Sequence, residues 1–432
     1  MASLLFPRHR LRHASASALR PRSGPCSGQV SRLLSQRSLP AWFVRGGTSN
    51  GLVVRRQDLP CASPDTWRPV LAPAMGSPDP VAARQLDGMG SGVSSTSKVV
   101  VVAPSARPDA HVEYTFVQVG IRDGALDVAG NCGNMSSIVG PAAWDMGLVD
   151  EGAKQAALTE EAQSAAGRCR RWAVLRMRNT NTNKVIVSRF AVAGDPPVYD
   201  PDGGYVLDGV PGTGSPITLS FLDPAGAKTG RALPTGNPLD RLQLPDGTAV
   251  DASLVDVGNP GVFVAATSLG LDPVAACALT PPLVETDTSL KARLEQIRRA
   301  GASRMGLDPD TESVPKIVLV MPPRQPHGCT DSAPAADLSC LAMSMGQAHK
   351  AVPLTLALCL AAAARIPGSV PEAALAGQRP KALGSALTIA HPSGRLDVDT
   401  STTADGTTIL SADLLRTARV LMKGQVFYSA PT

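Results

Sequence analysis

Hydrophobic positions along this chain fall into two habits, and the strand-like one dominates. Trp42–Val44 and Leu52–Val54 flank a glycine turn at Arg45–Gly51, Val99–Val102 is uninterrupted, and similar runs recur at Val112–Val119, Trp172–Met177, Val185–Val192, Leu254–Val257, Val262–Val264 and Lys316–Met321. Short Val-rich runs bounded by Gly, Asn or Pro predict strands. Helical spacing is rarer. Met135, Ile138, Val139, Ala142 and Met146 recur mainly at three- and four-residue steps, residues 288–304 are amphipathic, and residues 351–364 are apolar on every side. The last run is shorter than the roughly 20 residues that span a bilayer, so it predicts a core helix. Residues 151–168 read as a polar connection, and residues 193–250 as turns or long loops rich in Gly, Pro and Asp.

One arrangement occurs twice. A small-residue loop feeds a mostly buried helix at 130–146 and again at 343–364, each time after a set of short strands, with Pro141 and Pro353 expected early in their helices. Two such units would bring two helix N-termini to one interface, where free N–H groups attract anions. A cysteine at such an end has a lowered pKa, which singles out Cys132 in Gly130–Met135. The plainer alternative is a buried cysteine in a glycine turn. Lys98 closes the Gly/Ser-rich loop 86–97 and opens a buried strand, where its stem would be desolvated.

A length of 432 residues suggests two domains, and 43% hydrophobic residues mark a soluble, folded chain. Aromatics are only 3%, with 40 Gly and 38 Pro, so the cores must be built from Val, Leu, Ala and Ile between many turns. The first forty residues differ. They hold seven arginines and many serines but no lysine, aspartate or glutamate. That is the composition of a mitochondrial transit segment, and the matrix is the expected location, with the cytoplasm as the alternative. Those arginines exceed the whole formal net charge of +5, so the basic balance does not imply nucleic acid. Eight cysteines without CxxC spacing are expected to be reduced. His327-Gly328-Cys329 with Cys340 lacks a fourth ligand and reads as a solvated loop, so no metal is expected.

Ordered motifs carry a resemblance. Arg45–Ser49 (RGGTS), Met75–Pro80 (MGSPDP), the loop ending at Lys98, Gly130–Met135 (GNCGNM), Asn179–Thr182 (NTNT), GVPGTGSPI from Gly209, LPTGNP from Leu233, VDVGNPGVFV from Val255, SMGQAHKA from Ser344 and Ala390–Gly394 (AHPSG) together resemble the PrpF-type isomerases. The resemblance implies an α+β diaminopimelate epimerase-like fold. Two pseudo-symmetric domains would each wrap a strongly curved sheet round a central helix, with the active site in the cleft between them. The expected division is residues 41–168 plus about 405–432 for the first domain and 169–404 for the second, after the leader 1–40. It also implies proton and double-bond movement, without a cofactor, in a small tricarboxylate such as aconitate or 2-methylaconitate. A 4-oxalomesaconate-type tautomerase and a non-catalytic tricarboxylate-binding member are the alternatives. The expected assembly is a homodimer without membrane or nucleic-acid partners.

By the same resemblance Lys98 and Cys132 are the proton-transfer candidates, Lys98 the stronger, with its role as base or acid open; Ser49 joins them. Arg45, Thr48, Asn131, Gly133, Asn134, Ser344, Met345, Gly346, His391 and Ser393 would bind substrate. Turn formation, capping and loop packing are the plainer roles for Thr48, Ser49, Asn131 and His391. Two departures stand out. Asn50 replaces a lysine common in relatives, and Ser344-Met345-Gly346 offers no thiol at the second helix, which disfavours racemisation by paired cysteines.

Overall fold

The computed structural model describes residues 37–60, 63–161, 170–323, 336–375, 386–402 and 409–429. His327-Gly328-Cys329 and residues 1–36 of the arginine-rich segment lie outside the described residues. The boundary expected at residue 40 needs correction. Arg37–Pro40 already belongs to a strand, Arg37–Gly46, paired with Gln425–Tyr428, so the folded unit begins inside the expected leader.

In the first lobe, strands lie side by side in the order 418–428, 37–46, 49–55, 98–104, 112–119, 170–179, 184–193, 217–222 and 409–416. They surround the helix Gly133–Asp145, whose residues Gly133–Trp144 are all buried. A helix enclosed on every side can carry no polar face, which is why this sequence shows only weak amphipathicity. Its serines satisfy themselves locally: Ser137 Oγ donates to Asn134 O, and Ser136 Oγ shares a 2.6 Å hydrogen bond with Tyr114 OH. Pro141 lies in the helix interior, not near its start, and leaves the Ser137 carbonyl without its usual N–H partner. The far end is anchored by Trp144, which donates to Pro197 O and packs edge-on against Phe190.

The second lobe repeats the plan with strands 394–402, 387–391, 338–344, 316–321, 259–265, 249–257 and 240–243. They pack on the helix Leu354–Ala363, buried along its whole length. Thr288–Arg304 covers the outer face through Leu294 and Ile297. The two sheets join where Asp399–Thr402 pairs with Ile409–Asp413.

The division expected at residue 168 therefore moves. Strands 170–222 pair with Val112–Tyr114 and pack on the first helix, so they belong to the first lobe, and the second runs from about residue 240 to 402. Residues 151–161 of the expected connection form regular structure. Asp150 caps a helix, Glu151–Ala157, by accepting from Ala153 N, and Leu158–Glu161 pairs with Arg170–Ala173.

The strand pair Ser49–Arg55 and Lys98–Pro104 fixes where Lys98 stands, because Gly51 is in register with it. A methyl group on Gly51 would collide with the Lys98 carbonyl. Gly51→Ala should therefore cost about 1–3 kcal/mol, read as a lowered denaturant midpoint, since overpacking forces the paired strand to move.

Candidate active site

Both central helices begin at one cavity. Cys132 caps the first in an extended conformation, and Ser136 N is the first amide to reach back, 2.9 Å from Cys132 O. The N–H groups of Gly133, Asn134 and Met135 therefore have no acceptor within the helix. At the second helix Pro353 is the cap, with Leu356 N and Ala357 N each 2.9 Å from its carbonyl, leaving Leu354 and Thr355 in the same position. The second helix start is thus not at 344–346, where the sequence pattern puts it. Leu338–Ser344 is a strand, and Met345 and Gly346 turn it back at φ 54° and 65°. Ser344 and Met345 still reach the cavity from the strand end, whereas Gly346 does not line it.

From the first lobe Thr48, Ser49, Lys98, Gln118 and Gly130–Asn134 form the wall; Lys316, His349 and Pro353–Thr355 face them from the second. The free interior is narrow, about 40 Å3, and Gln118 and Met345 are shared with an open cleft of about 740 Å3.

Lys98 is buried as the first residue of its strand and donates from Nζ to Gln118 Oε1 at 2.6 Å, 5.2 Å from the centre of the Phe116 ring. The Gln118 amide can point only one way. Its Nε2 donates to the carbonyls of Ser94 and Ser97, so the oxygen must face the lysine. No carboxylate pairs with Lys98 among the described residues. Burial pushes its pKa below the ordinary lysine value, opposed by Cys132 and Asp127.

A second chain of orientation ends at Thr48. Arg416, buried at 4% exposure, donates from Nε to Asn134 Oδ1, and Asn134 Nδ2 in turn donates to Thr48 Oγ1 at 3.0 Å. A guanidinium has only donors, so the amide is fixed and Thr48 is left with its hydroxyl hydrogen to offer. Asn131 is held by Asn259, which donates from Nδ2 to Asn131 O and accepts from Asn131 N.

Three other expected contacts are not in this wall. Arg45 donates to the carbonyls of Gly47 and Thr417, bracing the hairpin turn. His391 is buried behind the site and accepts from Ser393 N at 3.2 Å; burial and Arg416 hold its pKa down at about 4. Ser393 remains on that turn, near Gly209. Asn50, the departure from the family pattern, also lies outside the wall.

Sequence reasoning misses Gln118, His349 and Lys316. His349 has Nε2 3.2 Å from Ser94 Oγ, and burial with the charges of Lys98 and Lys316 pushes its pKa down to about 3, so the ring is neutral. It stands inside the quoted SMGQAHKA motif. Lys316 opens an uninterrupted apolar strand just as Lys98 does, and that pattern is a signal that could have found it. Among the described residues no three His, Cys, Asp or Glu side chains converge as metal ligands, and no helix is long and apolar enough to cross a membrane.

Known proteins match the chain along nearly its whole length. The crystal structure of methylitaconate-delta-isomerase superposes with a TM-score of 0.65 at 32% identity, covering 91% of this chain and 96% of that one. The two share one α+β architecture, and the protein is an isomerase. A family model described as PrpF protein matches residues 36–429, and the chain belongs to that family. It is 35% identical over 403 residues to the 3-methylitaconate isomerase of Eubacterium barkeri, covering 91% of this chain and 97% of that protein. The 2-methyl-aconitate isomerase of Cupriavidus necator is also 35% identical, over 412 residues, with 90% and 97% covered. The (4E)-oxalomesaconate Delta-isomerase of a Novosphingobium species is 36% identical over 398 residues, with 90% and 97% covered.

Two outcomes follow. Gln118→Glu puts a carboxylate against Lys98 and favours its ammonium, so the limb of the pH–rate profile that belongs to Lys98 should move to higher pH. Acid should also unfold the protein through its neutral histidines. His349 and His391 have folded pKa values of about 3 and 4 against an ordinary 6.5, so the unfolded chain binds protons first. Their stabilisation is complete above about 6.5 and is lost as the pH falls through about 4 for His391 and about 3 for His349, readable as a falling denaturant midpoint.

Proposed function

We propose that the protein shifts a proton, and with it a double bond, in a small unsaturated tricarboxylate of the aconitate or 2-methylaconitate type. The observation that carries this reading is Lys98: a buried amine beside Cys132, with no carboxylate partner among the described residues, at the meeting of two helix starts. Burial favours the free amine, the form able to take a proton. Lys98 removes a proton from the carbon adjoining the double bond, and the electron pair moves through it onto a carboxylate as a dienolate. The N–H groups of Gly133, Asn134, Leu354 and Thr355 and the hydroxyls of Thr48 and Ser49 are positioned to meet that added negative charge, and preorganised donors are usually the largest catalytic contribution. A proton returned at the far carbon, from the Lys98 ammonium or the Cys132 thiol, restores the double bond in its new place.

The relative named for oxalomesaconate supports a second reading, the same proton shift on a keto acid. Incubation in deuterium oxide with cis-aconitate, 2-methylaconitate and 4-oxalomesaconate, followed by NMR, separates the two by which substrate exchanges or isomerises. Absence of both in all three would overturn the proposal. Deuterium at the new position reports return from an exchanging group, whereas retained protium reports carriage by one amine. Lys98→Met should lower kcat by at least ~10²-fold, the usual contribution of a positioned base, with circular dichroism unchanged.

Two further readings belong here. Residues 1–35, arginine-rich and free of acidic residues, act as a mitochondrial address; a fluorescent fusion that remains cytosolic would refute it. The chain works as a homodimer. The strand Ala418–Tyr428 has one edge unpaired among the described residues and exposes Leu421, Met422 and Phe427, the kind of edge that a partner covers. Sedimentation at monomer mass would exclude that.

A further inference from the structure

Lys316 is as unusual as Lys98, and the proton shift proposed above does not use it. It opens the strand Lys316–Met321, in parallel register with Gly261, and its side chain turns into the cavity with only 8% of the residue exposed. Its Nζ donates to Ser313 O at 2.6 Å, a neutral carbonyl, and it forms no ion pair among the described residues. Asp127 attracts it without reaching salt-bridge distance, while Lys98 and Arg298 repel it. Arg298 is itself committed to Glu295 and to the carbonyls of Pro309 and Thr311. An ammonium has three donors, and among the described residues one is used. Burial and Lys98 push the pKa down to about 8, so most of the charge is still present at neutral pH. A cation buried without a counter-ion is costly unless an anion arrives to complete it.

We propose that Lys316 is the specificity residue of the second lobe, holding the substrate carboxylate most distant from Lys98. This rests on the isomerase reading above. Lys98 and Lys316 come from different lobes, so a substrate that engages both ties the lobes together. A ligand lacking the distal carboxylate forgoes that tie. His349, neutral and within reach of both charges, adds no competing cation.

The test separates this role from a structural one. Calorimetry on the full chain would compare tricarballylate, a saturated tricarboxylate that cannot isomerise, with crotonate, a monocarboxylate. Lys316→Met should weaken tricarballylate by about 10–100-fold, the usual value of a charged hydrogen bond, and leave crotonate unchanged. Lys316→Arg should recover most of the loss, and its recovery keeps the test valid if the methionine variant folds poorly. With an isomerising substrate the methionine variant should raise KM far more than it lowers kcat. Equal weakening of both ligands would mean a structural role and overturn the proposal, as would unchanged tricarballylate binding. If the wild-type protein binds no tricarboxylate at all, the tricarboxylate reading falls together with this one; if it binds and Lys316→Met binds equally well, only this one falls.

Discussion

The two lobes meet because Gly133 has no side chain. It is the first residue of the first central helix, and a Cβ there would lie 2.8 Å from Cβ of Leu354, the first residue of the second. That distance is forbidden to real side chains, so any other residue would drive the helix starts apart. Asn259 ties the same junction. Its amide exchanges two hydrogen bonds with the Asn131 backbone and offers a third, at 3.3 Å, to Thr355 Oγ1. Everything else in the site depends on this contact, since only touching helix starts can aim both sets of free N–H groups into one narrow space.

Concentrating positive potential in this way has an electrostatic consequence. The cavity holds two helix N-termini and two lysines, and the nearest protein partners of those lysines are neutral oxygens of Gln118 and Ser313. Behind the wall Arg416 is also buried with no carboxylate partner among the described residues, its pKa pushed down to about 10. In such a place a neutral ligand would leave several donors unanswered, and burying an unanswered donor is costly. A polyanion answers them together. The preference for carboxylates is therefore built into the backbone geometry as well as the side chains, and rigid orienting chains such as Arg416–Asn134–Thr48 make it specific in direction.

Much of this is legible in the amino-acid sequence alone. Lys98 at the head of Val99–Val102, and Cys132 ahead of a buried helix, stand out because a buried strand and an enclosed helix leave long apolar runs with abrupt polar ends. Local pattern misleads where it diverges from tertiary pairing. Ser344–Gly346 resembles a helix start because the strand Leu338–Ser344 is as apolar as the helix after it, and only pairing with Ile317–Met321 distinguishes them. Strands 170–222 read as part of the wrong lobe because partner choice between distant strands leaves no trace in local periodicity. Gln118 is invisible for a related reason. One polar residue among several in that strand, it gains meaning only when Lys98 is seen beside it, in register on the neighbouring strand.

The pseudo-symmetry of the fold does not extend to its chemistry. At equivalent helix starts the first lobe presents a cysteine cap and the second a proline, and a proline can neither give nor take a proton. The pairing of a lysine that opens a buried strand is repeated, at Lys98 and Lys316, yet one faces an amide oxygen on a neighbouring strand and the other a carbonyl three residues back in its own chain. An enzyme that inverts a stereocentre needs proton-transfer groups on opposite faces of the substrate. Here the two groups assigned to proton transfer, Lys98 and Cys132, come from one lobe, and the opposing lobe supplies the charge of Lys316, the neutral ring of His349 and hydrogen-bond donors. That division suits a reaction in which a proton leaves and returns along one side of a flat, conjugated acid while the other side is held still.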